Sequence, residues 1–313
     1  MPSTTQSGAG IVRRPVVSIV IRTCRGRALL LREALGSACA QTYRDVEILV
    51  VEDGSRDAEA LVAEAASASD KPVRYLPIAK AGRCVAGNTG LQHATGELCQ
   101  FLDDDDLLLP HHVATLAAAL EATPACVAAY SLAWEVPTDF ESLQPLVYRQ
   151  RGRYVRYRQP FDRRLLVRRN YLPIQSVLFR RTLFLELGGL DPRLEQLEDW
   201  DLWRRYSARG DFRFVDQPTS LYRVPGKAAD AYRRRLALAA YAPVVRQLWQ
   251  DDPQRRALQQ AAVGDDAAAC RGHAPRRIRH RLRHMVQQAV LGSRWLYTAY
   301  WHAAHTYYRW FRG

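Results

Sequence analysis

Gln100-Phe101-Leu102-Asp103-Asp104-Asp105-Asp106-Leu107-Leu108-Leu109-Pro110 sets four consecutive carboxylates directly after an apolar run. Four adjacent carboxylates repel one another, and folding alone gives no reason for them. A divalent cation does, because Mg²⁺ or Mn²⁺ takes hard oxygen ligands and bridges protein carboxylates to substrate phosphates. Glu97 to Leu102 reads as a buried strand, and in an α/β sheet the loop just beyond a strand's carboxyl end is where ligands sit. The plainer alternative is a solvated acidic turn in front of a helix beginning near His111.

Outward from this stretch, apolar β-branched runs alternate with segments of helical spacing. Val16 to Ile21, Val46 to Val51 and Val73 to Leu76 read as strands. Leu30, Leu31, Ala34, Leu35 and Ala38 recur at helical spacing, as do the segment through Leu61, Val62 and Ala65 and the one holding Asn88, Leu91 and Ala94. The links between them are short, which predicts an α/β fold with a mostly parallel sheet covered on both faces. No G-x-G-x-x-G follows the first strand, so the dinucleotide-binding fingerprint is absent. The second strand stops at Glu52-Asp53-Gly54-Ser55, whose carboxylates face whatever lies beyond the sheet.

Farther along, Ser176 to Phe179 reads as a strand and Thr182 to Leu187 as a short helix closed by Gly188-Gly189. Phe212 to Val215 and Leu221 to Val224 read as two last core strands. Arg149 to Asn170 carries nine arginines against the single acid Asp162. That segment is either a solvated basic surface or a site for a diphosphate or an acidic acceptor. In Leu197-Glu198-Asp199-Trp200-Asp201-Leu202-Trp203, helical spacing turns both tryptophans to the core and sets Asp199 near a helix N-terminus, where the dipole favours its ionised form. An acidic first turn that merely caps a helix is the alternative.

The chain has 313 residues, 48% hydrophobic and 25% charged, enough for a sizeable core and outside the disordered range. Its six cysteines are scattered, with no C-x-x-C pair, which argues against a zinc site or a disulfide framework. There is no secretory signal pattern and no run of about 18 apolar residues, so a soluble or peripheral protein is expected. The net charge is +13, and the nine arginines of residues 271–313, unopposed by any acid, leave +4 for the remainder. On a helix, Leu296, Ala299, Ala303, Tyr307 and Trp310 would form one stripe. Basic charge followed by an aromatic face is the pattern of an interfacial helix on an anionic membrane surface. Packing on the protein's own core or on a second subunit is the alternative.

Taken in order, these motifs resemble those of family 2 glycosyltransferases with the GT-A fold. Val17 to Thr23 is similar to the family's opening strand, and Gln41-Thr42-Tyr43 with Val46 to Ser55 resembles its Q-T-Y and V-E-I-I-V-V-D-D-G-S segments. Gly82-Arg83 through Asn88-Thr89-Gly90, Ala94 to Glu97, Phe101 to Asp106 (F-L-D-x-D-D) and Glu198 to Trp203 (E-D-Y/W-D-L-W) follow. The set covers roughly residues 15 to 225.

The resemblance implies a GT-A domain over 15–226, behind a loose N-terminus (1–14) and ahead of a helical extension (227–270) and a basic, aromatic tail (271–313). It implies an inverting transfer of sugar from a nucleoside-diphosphate donor, with a UDP-sugar favoured, to a cell-surface glycan or lipid-linked acceptor at the cytoplasmic face of the membrane. No nucleic acid is expected as partner. Thr23, Glu52, Asp53, Arg83, Asn88, Asp103 and Asp104 would line the donor, with Asp53 on the nucleobase. Asp105 would bind Mn²⁺ or Mg²⁺, with Asp103 reaching it or the ribose. Asp199 would be the general base, and Gln175, Glu198 and Trp200 would lie on or support the acceptor side. Two departures stand out. The family's first loop often reads Pro-Thr-Tyr-Asn where this chain has Arg22-Thr23-Cys24-Arg25, and a histidine that often follows the last core strand is replaced here by Leu221-Tyr222-Arg223. An arginine or lysine in this stretch, which runs on through Val224-Pro225-Gly226-Lys227, would instead compensate diphosphate charge. The register of Asp103–Asp106 stays open, since Asp104 and Asp106 share the D-x-D spacing. A metal-dependent nucleotidyltransferase and a non-catalytic protein binding anionic lipid or nucleic acid are the competing readings.

Overall fold

Val17, Ile19, Val20 and Ile21 have no solvent exposure at all, which is what a run apolar on both faces requires of a central strand. They belong to β1 (Val17–Cys24), the centre of a parallel set with β2 (Val46–Asp53), β3 (Val73–Ile78) and β4 (Leu98–Asp103). The computed structural model describes residues 15–269, with side chains to 261. Between these strands lie α1 (Ala28–Cys39), α2 (Glu59–Ala68) and α3 (Arg83–His93). The second half supplies β5 (Leu107–Leu108), α4 (His112–Glu121), β6 (Ala128–Leu143), β7 (Leu146–Gln150), β8 (Tyr154–Val155) and α5 (Arg163–Arg168). After a 3₁₀ turn at Ile174–Ser176 come β9 (Val177–Arg180), α6 (Arg181–Leu187), α7 (Glu198–Ser207), β10 (Phe212–Pro225), α8 (Ala228–Asp251) and α9 (Pro253–Ala269).

All ten strands of the described residues join one sheet, with the path β3-β2-β1-β4-β9-β6-β10-β5 and with β7 and β8 paired to β6. β9 runs antiparallel to both β4 and β6. The sheet is therefore mixed, mostly parallel and flanked by helices, as the alternating pattern predicts. Neighbouring residues of β1 feed opposite faces. Val20 joins Leu49, Phe101, Phe179, Trp200 and Trp203 on one side, while Ile19 and Ile21 join Leu31, Leu35, Ile48, Val50 and Leu116 on the other. Each such side chain contributes about 1.5–3 kcal/mol by leaving water, so both faces hold β1 in place. Register then does the functional work. Arg22 pairs with Asp103 across β1 and β4, and Cys24 with Asp53 across β1 and β2, which collects the polar residues at one carboxyl edge.

One expectation changes and two features are added. The segments at 212–215 and 221–224 are one strand, β10, whose Asp216-Gln217-Pro218-Thr219 interruption is absorbed as register shifts against β6; proline and polar residues mark a bulge here, not an end. β6 is 16 residues long, although its proline and mixed polarity hide it in the sequence. The chain after β10 forms two helices, since α8 stops at Asp251 and α9 begins after the break at Asp252-Pro253 and runs to Ala269. Proline fits the first turn of a helix, where its missing N–H leaves no bond unmade.

Candidate active site

The acidic turn is held by arginines. Arg22 donates from Nε to Asp103 Oδ1 at 2.8 Å and lies 2.6 Å away through Nη2, while Arg83 reaches Asp103 Oδ2 at 3.1 Å. Arg27 grips Asp104 through Nε and Nη2 (2.8 and 2.6 Å) and touches Asp105 at 2.9 Å. Thr23 donates its hydroxyl to Asp104 at 2.7 Å. Asp106 is buried and accepts from the Arg223 backbone N–H at 3.1 Å. Burial divides the run into two alternating pairs. Asp103 and Asp105 are 18% and 33% exposed at the side chain, whereas Asp104 and Asp106 lie inside.

The electrostatics follow from those partners. Burial raises the pKa of Asp103, but Arg22 and Arg83 outweigh it and hold the group below the usual carboxylate range. Asp104 is pushed up by burial and by Asp105, against the pull of Arg27. Burial together with Asp105 and Asp103 pushes Asp106 well up. Repulsion within the run is thus relieved twice, by guanidinium groups at the exposed end and by the tendency of Asp106 to keep its proton.

The second element is the start of α7. Glu198 is buried and meets both Arg22 Nη1 (3.3 Å) and Arg83 Nε (3.1 Å). Arg83 thereby bridges Asp103 at the end of β4 to Glu198 at the start of α7, across a sequence separation no local pattern reveals. Next to it, half-buried Asp199 accepts from Asn170 Nδ2 at 2.8 Å and from the Trp200 N–H at 2.8 Å. The helix start was expected to favour its ionised form. Instead its pKa is pushed up to about 7, by burial first and by the Glu198 charge next, which together outweigh the Asn170 and backbone hydrogen bonds and the charge of Arg83. Desolvation here exceeds the benefit of the helix terminus.

Most of the other residues named from the sequence have partners of their own. Asp53 accepts from the Ala81 and Gly82 N–H groups (2.6 and 3.1 Å) and from Lys80 Nζ; Lys80 is 71% exposed, so it is the partner a ligand can displace. Gly54, at φ +86°, lets the chain turn against that lysine, whose Cδ would lie 2.8 Å from an added Cβ. Glu52 is fully buried and organises its own turn, accepting from Ser55, Tyr75 and the Asp57 and Ala58 N–H groups. The Asn88 amide is consumed by the Leu190 backbone, donating to its carbonyl at 2.8 Å and accepting from its N–H at 2.7 Å. Trp200 packs in the core and donates to the Leu166 carbonyl. Gln175 is buried, and its side-chain N–H₂ has no hydrogen-bond partner among the described residues.

Arg223 also departs from expectation. Its side chain, 2% exposed, reaches Glu33 and the Asp105 carbonyl, with its guanidinium 4.9 Å from the Tyr148 ring. It buttresses the acidic turn from below, so compensation of diphosphate charge does not fall to it. In the Arg-rich segment, Arg151, Arg156, Arg158 and Arg163 pair with Asp139, Glu135, Asp216 and Asp211, so these four guanidinium groups already have acidic partners. Arg27 and Asn170 are the site residues sequence reading passed over. The four adjacent acids were a signal for nearby cations, but nothing marked Asn170.

The model of the family described as glycosyl transferase family 2 matches residues 18–184. The chain belongs to this family. Among curated proteins, an uncharacterised glycosyltransferase of Rickettsia felis is 32% identical over 205 residues, 60% of this chain and 31% of that protein. The O-antigen biosynthesis protein RfbC of Myxococcus xanthus is 29% identical over 72% of this chain and 17% of its own length. The chain thus spans under a third of either relative. Among solved structures, S. aureus TarS 1-349 in complex with UDP superimposes with TM-score 0.54 at 17% identity, over 70% of this chain and 62% of that one. The mannosyltransferase PcManGT from Pyrobaculum calidifontis, in complex with GDP-Man and Mn²⁺, gives 0.51 at 20% identity over 96% and 89%. The shared architecture is the GT-A fold.

The donor set of this family 2 chain suits a hard divalent ion. Asp105 offers a partly exposed carboxylate with only one oxygen engaged by Arg27, and Asp103 stands two residues away. Mg²⁺-type ions need only one or two carboxylates when substrate phosphates and water complete the shell. Among the described residues no cluster of three or more His, Cys, Asp or Glu side chains could hold a metal by itself. No described helix is long and apolar enough to cross a membrane. The proposed membrane-binding tail, 271–313, lies outside the described residues.

Proposed function

We propose that the protein is an inverting glycosyltransferase that moves a sugar from a nucleoside-diphosphate donor to a hydroxyl of a glycan or lipid-linked acceptor. The observation that carries this reading is the bridge from Asp103 through Arg83 to Glu198, which sets Asp199 beside the carboxyl edge of the sheet. UDP, UDP-GlcNAc and GDP-Man in structures of the same fold support a nucleotide-sugar donor, and we favour a UDP-sugar.

In this reading Asp53 and Thr23 receive the nucleobase side of the donor, with Lys80 yielding its place on Asp53. Arg83, 43% exposed, approaches the anionic oxygens, for which a planar guanidinium is well suited. Asp105, with Asp103 directly or through water, would hold Mn²⁺ or Mg²⁺, which supplies Lewis-acid stabilisation to the departing diphosphate. Asp199 takes the proton from the acceptor hydroxyl. The hydroxyl oxygen forms its bond to the anomeric carbon from the face opposite the donor phosphate, and the bond from that carbon to the phosphate oxygen breaks. The nucleoside diphosphate leaves with the electron pair, so the anomeric configuration inverts in one displacement. A base with a pKa near 7 is well matched to neutral pH, since it is ionised and still basic enough to accept the proton.

Calorimetric titration with UDP, GDP and dTDP, each with and without Mn²⁺, tests the donor site on the wild type and on Asp105→Ala. Metal-dependent binding of one nucleotide, lost in the variant, is expected. No binding of any nucleotide would overturn the donor assignment in favour of a non-catalytic module, and pyrophosphate release during turnover would point to nucleotidyl transfer.

A further inference from the structure

Asp201, two residues beyond the proposed base, has no solvent exposure, yet the chemistry above gives it no task. Its carboxylate accepts from Trp249 Nε1 (2.8 Å) and Arg255 Nε (2.9 Å) at Oδ1, and from Arg205 Nε (2.9 Å) and Arg255 Nη2 (3.1 Å) at Oδ2. Only Arg205 belongs to α7. Trp249 comes from α8 and Arg255 from α9, some 50 residues downstream. Despite burial, Arg205 and Arg255 hold Asp201 below its usual pKa, so the group stays an anion inside the protein. An anion buried with full complementary charge is a rigid anchor, because any movement uncovers an unpaired charge.

Three further contacts run the same way. Arg204 lies over the Trp249 ring, 3.8 Å from its centroid, and donates to Gln259 of α9 at 3.0 Å. Arg255 Nη2 also reaches Asp191 at 2.8 Å, in the loop that Asn88 pins to α3 through Leu190. That loop has no slack, since a Cβ on Gly189 would lie 2.0 Å from Asn88 Oδ1. Arg255 therefore touches, in one step each, the helix that carries Asp199 and the loop fixed to the helix that carries Arg83. Finally, the residue before α7, Leu197, sits at φ +61°, a left-handed conformation that a leucine adopts only when its surroundings impose it.

We infer that the helical extension is part of the catalytic apparatus, with Trp249 and Arg255 acting as positioning residues that fix the first turn of α7, and with it Glu198 and Asp199, through Asp201. The inference rests on the proposed function for its catalytic meaning, but not for its structural one. Displacing a base by about 1 Å costs about 100-fold in rate, whereas donor binding, carried in the proposed function mainly by Thr23, Asp53 and Asp105 outside α7, changes much less.

The test compares full-length wild type, Arg255→Ala, Arg255→Lys and Trp249→Phe. Turnover is measured with UDP-, GDP- and dTDP-sugars, and amide hydrogen exchange is measured across residues 198–207. For Arg255→Ala the expected result is a kcat lower by about 100-fold with donor KM within about twofold, and recovery of most of the loss in Arg255→Lys. Exchange in the first turn of α7 should be about tenfold faster, the local opening expected when its anchor is cut. Trp249→Phe, which keeps the packing and loses one donor, should show the same pattern at about a tenth of the size, and it carries the test if Arg255→Ala fails to fold. Unchanged kcat in folded variants, or activity lost only in proportion to the unfolded fraction, would overturn the inference. If the wild type turns over none of the donors, the functional reading falls by itself. Exchange then decides the anchor alone, with unchanged exchange overturning it.

Discussion

Two acidic elements meet at the carboxyl edge of the sheet, and they are treated in opposite ways. The strand-end run Asp103–Asp106 is surrounded by guanidinium groups from Arg22, Arg27 and Arg83, and Asp103 is held low. At the helix start Glu198 takes the two arginines that reach α7, and Asp199 is left with a neutral amide and a backbone N–H, so its pKa rises to about 7. Identical side chains are driven apart by their surroundings, and in the proposed mechanism that separation divides charge-binding from proton-accepting work. Arg83 touches both elements and keeps them in one site.

The sharpest way to break this division is Asp199→Asn. It removes the proton acceptor while keeping shape and most hydrogen bonding, so kcat should fall by about 10³-fold with nucleotide affinity unchanged by calorimetry. A comparable loss of nucleotide affinity would mean that the helix start, too, binds the donor. Next in size is Asp103→Ala, which strips Arg22, only 4% exposed, of its principal partner. A loss of about 3 kcal/mol in denaturant unfolding is expected for such an uncompensated buried charge.

A smaller and opposite effect belongs to Asp199. Its folded pKa lies above its unfolded value, so folding takes up a proton between about pH 4 and 7. The ionised group costs stability above pH 7, and the cost disappears as pH falls toward 4. Asp199→Asn should therefore raise the melting temperature at pH 8 and leave it nearly unchanged at pH 4; equal shifts at both pH values would contradict the sign. Smallest of all is Lys80→Ala. The lysine is exposed, and the buried Asp53 carboxylate keeps the Ala81 and Gly82 N–H groups without it, so a change under about 1 kcal/mol is expected. A larger loss would make Lys80 part of the framework and not a group that gives way to a ligand.

Much of this was legible in the sequence for a simple physical reason: strands buried on both faces leave long apolar runs, and the polar residues that end them are conspicuous. Val17–Ile21, Val46–Val51 and the run through Leu102 fixed the parallel half, and the tryptophan spacing gave α7 its buried face. What stayed hidden depended on partners distant in sequence. Glu52 and Asn88 look like ligand residues until Tyr75 and Leu190 occupy them. The raised pKa of Asp199 comes from burial, which no local pattern reports, and its contact with Asn170 crosses 29 residues. Arg223 was given to the substrate because its destination, Glu33, is 190 residues away. β6 and β10 were missed or divided because bulges and prolines interrupt a strand's alternation without ending it.

The measurement closest to the central claim is the pH dependence of kcat for nucleoside-diphosphate release from the accepted nucleotide sugar, taken between pH 5 and 9 on wild type and Asp199→Asn. If Asp199 is the base, wild-type kcat rises with pH through a midpoint near 7, because only the ionised carboxylate accepts the proton, and the variant shows low activity with no such rise. A wild-type profile flat through this range, or a variant that keeps the same midpoint, would contradict it.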